Sequence, residues 1–193
     1  MRLAIFGGTF DPIHRAHLLI ARTAATQFQL DRVLLVPAAQ PPHKGGAAHA
    51  SYEHRVRMAE LATPGDSRIE VSRLEEAAIR SYTIRTIEKV RASLALEDEL
   101  FFIIGADAFS EIRTWHRWTD VARAVRFIVV SRPGSVYDNP PEVRVERLDD
   151  LELRISSSEI RQALAAGARP EAVPAAVLRY IEQHELYGAR PAA

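Results

Sequence analysis

Residues 1–36 read MRLAIFGGTFDPIHRAHLLIARTAATQFQLDRVLLV. Leu3–Phe6 is a short apolar run stopped by Gly7 and Gly8, the pattern of a buried strand breaking into a turn. From His14 to Phe28 the apolar side chains Leu18, Ile20, Ala21, Ala24, Ala25 and Phe28 recur at helical spacing, which predicts a helix with one face on a sheet. Val33–Val36 is a second buried strand. Strand, helix and strand in this space form a βαβ unit, whose crossover is right-handed in nearly all known proteins and makes the sheet parallel.

The same alternation continues outward from this unit. Residues 37–51 hold three prolines and two glycines and few large apolar residues, so they form a loop, of a length that suits a lid. Helices are expected at 51–62 and 83–94, with a short strand near 69–72. Leu100–Ile104, apolar throughout and stopped by Gly105, is a central strand. Phe127–Val130 is another, closed by the turn signal Arg132-Pro133-Gly134. A polar, proline-bearing stretch follows. Ser156–Ala165 is a helix opened by serines, and Pro174–Gln183 is a last helix with proline at its start. The expected fold is α/β: a doubly wound, mainly parallel Rossmann-like sheet with helices on both faces, and a ligand at the carboxyl ends of the strands.

At 193 residues and 47% hydrophobic, the chain suits one domain, 1–193. Its 25 basic and 25 acidic residues balance, so no broad surface field points to nucleic acid or an anionic membrane; an anion site must be local. Cysteine is absent, which excludes disulfides, thiolate metal sites and cysteine nucleophiles. No segment approaches the roughly 20 apolar residues of a membrane helix, and the opening residues show no signal-peptide pattern. The cytoplasm is the expected location. Lys44 and Lys89 are the only lysines.

Two motifs carry chemistry. In Gly7-Gly8-Thr9-Phe10-Asp11-Pro12-Ile13-His14-Arg15-Ala16-His17, two glycines end the strand and two histidines open the helix. Glycines admit a phosphate to the backbone, a helix N-terminus offers unpaired N–H groups, and imidazoles add donors. His14 and His17, three apart, share a helix face. The motif lacks the third glycine of the dinucleotide fingerprint, which argues against a resident NAD or FAD. A plain turn with two coincident histidines, and a zinc pair lacking an evident third ligand, are the alternatives. The second motif, Ile155-Ser156-Ser157-Ser158-Glu159-Ile160-Arg161, combines serine hydroxyls, a helix start and an arginine suited to an anion. Read alone, it is first of all an ordinary capped helix.

GGTFDPIHRAH resembles the GGxFxPxHxGH signature of the HxGH nucleotidyltransferase superfamily, and ISSSEIR resembles its ISSTxxR signature. Between them, Val36-Pro37, Pro41-Pro42-His43-Lys44, Ser81-Tyr82-Thr83, Phe102-Ile103-Ile104-Gly105-Ala106-Asp107 and Thr114-Trp115-His116 narrow the likeness to the bacterial nicotinate-nucleotide adenylyltransferases, from Met1 to about Tyr187. The resemblance implies joining AMP from ATP to nicotinate mononucleotide with Mg2+, so that NAD is a pathway product and not a cofactor. It implies His14, His17 and Arg161 as catalytic residues. ATP would meet Gly7, Gly8, Thr9, Phe10, His14, His17, Gly105, Asp107, Ile155, Ser156, Ser157 and Arg161. The mononucleotide would meet Lys44, Thr83, Trp115 and His116, with its ring on Trp115. Ala16 replaces the usual glycine, Ser158 a common threonine and His116 a frequent tyrosine. Nicotinamide mononucleotide or phosphopantetheine as substrate, or a non-catalytic nucleotide-binding regulator on the same fold, are the competing readings.

Overall fold

A computed structural model describes residues 1–40, 48–76, 78, 80–131, 137–149, 151 and 155–190. Six strands form one sheet: β1 (Arg2–Gly8), β2 (Arg32–Pro37), β3 (Ile69–Val71), β4 (Glu99–Gly105), β5 (Arg126–Val130) and β6 (Val145–Leu148). Their order is β3-β2-β1-β4-β5-β6 and all five pairings are parallel. The helices are α1 (Arg15–Gln27), α2 (Tyr52–Ala62), α3 (Thr83–Arg91), α4 (Ala106–Ser110), α5 (Trp118–Ala124), α6 (Ser157–Ala165) and α7 (Ala175–Gln183). No helix among the described residues is long and apolar enough to cross a membrane.

Alternation along the central strands divides the core in two. Ala4 and Phe6 of β1 join Ile103, Ile128 and the apolar faces of α1, α2, α6 and α7; Leu3 and Ile5 join Phe102, Ile104, Phe127 and the faces of α3 and α5. β1 and β4 are buried along their apolar runs on both faces, which explains why they are apolar without alternation.

Three elements go beyond the sequence reading. α4 is a five-residue helix directly after Gly105, and α5 follows a turn in which Arg117 takes a left-handed conformation (φ 53°). β6 reads Val-Glu-Arg-Leu and is exposed in part along three of its four residues. Its few apolar residues and its edge position leave no periodic signal, and pairing with β5 alone defines it. The turn signal at 132–134 and the middle of the anticipated 37–51 lid, residues 41–47 with Lys44, lie outside the described residues.

The chain winds outward from β1 through β2 to β3, then returns to the other side of β1 at β4. Register shows what this reversal opens. β1 and β4 pair through Phe6 and Ile103; beyond that, Gly7 and Gly8 pair only with Val36 and Pro37 of β2, while Ile104 and Gly105 pair with Val129 and Val130 of β5. The two central strands therefore part at their carboxyl ends, which is the crevice where open α/β sheets hold ligands.

Candidate functional site

Two cavities flank this crevice, and Phe6 and Gly105 line both. A Cβ built on Gly105 would meet nothing within 4 Å, so this position stays open toward the space between them.

The first cavity, about 410 Å³, brings together His14, His17, Gly105, Asp107 and Ile155 from three separate stretches of chain. His14 is the N-cap of α1 and His17 its third residue. Their rings stack with centroids 3.8 Å apart. The backbone N–H of His14 donates to Nδ1 of His17 at 3.2 Å. With Nδ1 an acceptor, the neutral His17 ring carries its proton on Nε2 and is a donor there. Phe10 supports the ring from below at 5.0 Å, edge to face. His14 is buried, and burial pushes its pKa down to about 4. Its Nδ1 is buried with no hydrogen-bond partner among the described residues. An unpaired buried polar atom costs about 1–3 kcal/mol, and beside a cavity it is a reason to expect a ligand.

The loop between β1 and α1 is tightly specified. Phe10 has φ 50°, a left-handed conformation that costs an L-residue roughly 1–2 kcal/mol, and burial of its ring offsets this. A Cβ on Gly8 would come within 2.9 Å of that ring, so the glycine is required by Phe10. With its ring buried, Phe10 has backbone alone to offer a nucleotide.

A buried polar network that the sequence reading missed holds this loop in place. The Asp11 carboxylate accepts from the N–H groups of His49 (2.7 Å) and Ala50 (3.1 Å) and from the hydroxyl of Tyr187 (2.7 Å). Burial pushes the Asp11 pKa up, but these hydrogen bonds and the nearby Arg161 outweigh it and hold the carboxyl below the usual range. The Tyr187 phenol is pushed well above its ordinary value, first by burial and then by Asp11. Arg55, 1% exposed, donates to the carbonyls of Thr9 (2.8 Å), Ala50 (3.2 Å) and Ala39 (3.4 Å). Asp11 stands inside the quoted motif, but its partners are 38 to 176 residues away, so no local pattern could reveal them.

The second motif docks onto the first. The Ser157 hydroxyl donates to the carbonyl of Pro12 at 3.1 Å, and Arg161 Nη1 donates to the carbonyl of Asp11 at 2.7 Å. Ser156 caps α6, its Oγ accepting from the Glu159 N–H at 3.2 Å while Glu159 accepts from the Ser156 backbone. The ordinary helix cap and the docking of α6 onto the first motif therefore coexist. What the start of α6 has left for an anion are the N–H groups of Ser157 and Ser158, which precede the first intrahelical bond. Of this second motif, Ile155 lines the first cavity, whereas Ser156, Ser157 and Arg161 do not.

The second cavity, about 270 Å³, lies on the other face of the sheet and is mainly aromatic and apolar, with Phe102, Tyr82, Trp115 and His116 in its wall. Gly7, Gly8 and Thr9 line this side. Trp115 meets Phe102 edge to face at 6.0 Å, and Tyr82 lies against His116 at 4.5 Å. Thr83 is the first residue of α3, and Tyr82 provides no side-chain cap. The N–H groups of Thr83 and Ile84 precede the first intrahelical bond and supply a locally positive helix end. Among the described residues no group of three or more His, Asp or Glu side chains converges as a metal site.

The profile of the cytidylyltransferase-like family matches residues 5–163. A protein of Solibacter usitatus named "Probable nicotinate-nucleotide adenylyltransferase" is 68% identical over 97% of this chain and 100% of its own length. One of the same name from Thermus thermophilus is 46% identical, with the same coverage of both chains. Among solved structures, Plasmodium falciparum nicotinic acid mononucleotide adenylyltransferase complexed with NaAD superposes with a TM-score of 0.79 over 97% of each chain at 20% identity, a likeness of fold.

Proposed function

For a chain that belongs to the cytidylyltransferase-like family, and within it to the nicotinate-nucleotide adenylyltransferases, we propose that it joins the AMP part of ATP to nicotinate mononucleotide, giving nicotinate adenine dinucleotide and pyrophosphate. The observation that carries this reading is the parting of β1 and β4 between two unlike cavities that share Phe6 and Gly105. One offers imidazoles and a helix start to phosphates; the other offers aromatic walls and a second helix start to a flat ring bearing a carboxylate. Both substrates, ATP and a mononucleotide, belong to the cytoplasm.

The phosphate of the mononucleotide attacks the α-phosphorus of ATP. A new P–O bond forms there as the bond to the bridging oxygen breaks, and pyrophosphate departs with both electrons. No side chain is covalently modified, so catalysis consists of positioning and charge stabilisation. His17 donates from Nε2 to phosphate oxygens, its tautomer set by the His14 backbone. His14 is neutral at pH 7 and contributes its unpaired buried polarity. Arg161 and the start of α6 take the β and γ groups. Gly105 and Asp107 adjoin the adenosine, and Ile155 lines the same cavity. Trp115 stacks on the ring, while Thr83 and His116 give backbone donors to its carboxylate; Lys44 meets a phosphate.

Magnesium enters as part of the substrate, on the triphosphate. The donor set fits that role, because Mg2+ keeps its waters and substrate phosphates and does not need an all-protein cage. Pyrophosphate release from MgATP tests the reading, with nicotinate and nicotinamide mononucleotides compared at limiting concentration. A higher kcat/KM for the acid is expected. Comparable rates would remove the carboxylate role of Thr83 and His116, and no release with either would overturn the assignment.

A further inference from the structure

The aromatic cavity contains one buried acidic side chain that the proposed reaction does not use. Glu75 is 8% exposed and stands in its wall. Its Oε1 accepts from the Thr86 hydroxyl at 2.7 Å and its Oε2 from the Ala39 N–H at 3.4 Å. Both donors are neutral. Ionised, a carboxylate accepts at about four lone-pair positions, so roughly half of that capacity is unused. Among the described residues Glu75 forms no ion pair. The Arg55 guanidinium acts on Glu75 through space without a hydrogen bond to it: its Nη2 donates to the carbonyl of Ala39, the residue whose N–H faces Glu75. The remaining hydrogen bonds of Arg55 go to Thr9 and Ala50 on the loop side.

A buried carboxylate whose two hydrogen-bond donors are neutral keeps acceptor capacity for a cationic group entering the cavity. Tyr82, Phe102 and Trp115 line the same cavity as Glu75, and aromatic walls combined with a carboxylate suit a flat cation. The ring nitrogen of a pyridine mononucleotide, bonded to ribose, carries such a formal positive charge. Resting on the reading of this cavity as the ring site, we propose that Glu75 is the counter-ion of that pyridinium and makes the site selective for the oxidised, charged ring. The cavity is then polarised to match its ligand: the positive start of α3 at Thr83 faces the ring carboxylate, and Glu75 faces the ring nitrogen. The 1,4-dihydro form has nearly the same outline and no ring charge, and it binds more weakly.

The test is calorimetric binding of nicotinamide mononucleotide and its 1,4-dihydro form, without ATP, to the intact protein and to Glu75→Gln. The wild type should bind the oxidised form about tenfold or more tightly than the reduced form. Glu75→Gln should weaken the oxidised form alone and close that gap. Equal weakening of both forms would make Glu75 a scaffold or a ribose contact and overturn the proposal, as would affinities in the wild type that do not differ. Should Glu75→Gln not fold, the wild-type ratio decides. The readout is binding, so absent pyrophosphate release would count against adenylyl transfer while leaving a measured ring-charge preference in place. Failure to bind either form would overturn the counter-ion proposal, while adenylyl transfer would still be decided by pyrophosphate release with nicotinate mononucleotide.

Discussion

The two cavities differ in what shapes them. On the histidine side, geometry is set by hydrogen bonds among buried polar groups: His14 to His17, Asp11 to Tyr187, Arg55 to Thr9. On the ring side it is set by aromatic packing, with Trp115 against Phe102 and Tyr82 against His116. Directional bonds hold donors where charge develops in a transition state, whereas packed rings fit a ligand by shape and tolerate small displacements. Changes on the first side should therefore appear in kcat and in stability, and changes on the second in KM.

The largest effect is expected from His17→Ala. Removing one well-placed transition-state donor typically lowers kcat by about 10²- to 10³-fold, with the fold intact; near-normal turnover by the folded variant would erase the contrast between the cavities. Asp11→Ala comes next. It strands the Tyr187 hydroxyl and the N–H groups of His49 and Ala50, at about 3 kcal/mol in total, or a fall in Tm on the order of 10 °C. A melting curve that matches the wild type would show that the network does not hold the loop.

On the ring side, Trp115→Ala should raise KM for the mononucleotide by roughly tenfold through lost stacking and leave KM for ATP unchanged. Steady-state kinetics with each substrate varied in turn checks this, and equal effects on both would merge the two cavities into one site. The smallest effect is on pH dependence. His14 has its folded pKa lowered from 6.5 to about 4 by burial, so below pH 6.5 the unfolded chain takes a proton that the native state refuses. Stability is complete above pH 6.5 and falls with acidification, by about 1 kcal/mol between pH 6.5 and 5.5. Asp11, whose folded pKa is depressed, loses its contribution only at still lower pH. Denaturant melts across that range check the slope, and a slope that persists in His14→Gln would assign it elsewhere.

Much of the frame was legible in the chain. β1, α1, β2, β4 and β5 stand within a residue or two of their expected bounds, because long apolar runs and helical spacing survive any context. β6 and the short α4 and α5 were not legible: each is too short to carry a period and is defined by its neighbours. The site divides the same way. Both motifs were visible as motifs, with the histidine spacing and the serine cap read locally. Asp11, Arg55, Glu75 and Tyr187 were passed over, since an acid, an arginine or a tyrosine gives no local sign of the partner that makes it buried.

By itself, then, the sequence determined a parallel α/β sheet and the strand-to-helix turn with its histidine pair, since each depends on the spacing of residues close together in the chain, while Trp115 stood out only through the resemblance to a family. Only the tertiary structure decided that β1 and β4 part beyond Phe6 and Ile103, that Arg161 and Ser157 lock onto the carbonyls of Asp11 and Pro12, and that Glu75 stands in an aromatic wall. These depend on contacts across 145 residues and more in the case of the two motifs. Burial and hydrogen bonding at that range are fixed by packing of the whole domain, which no local window of residues encodes.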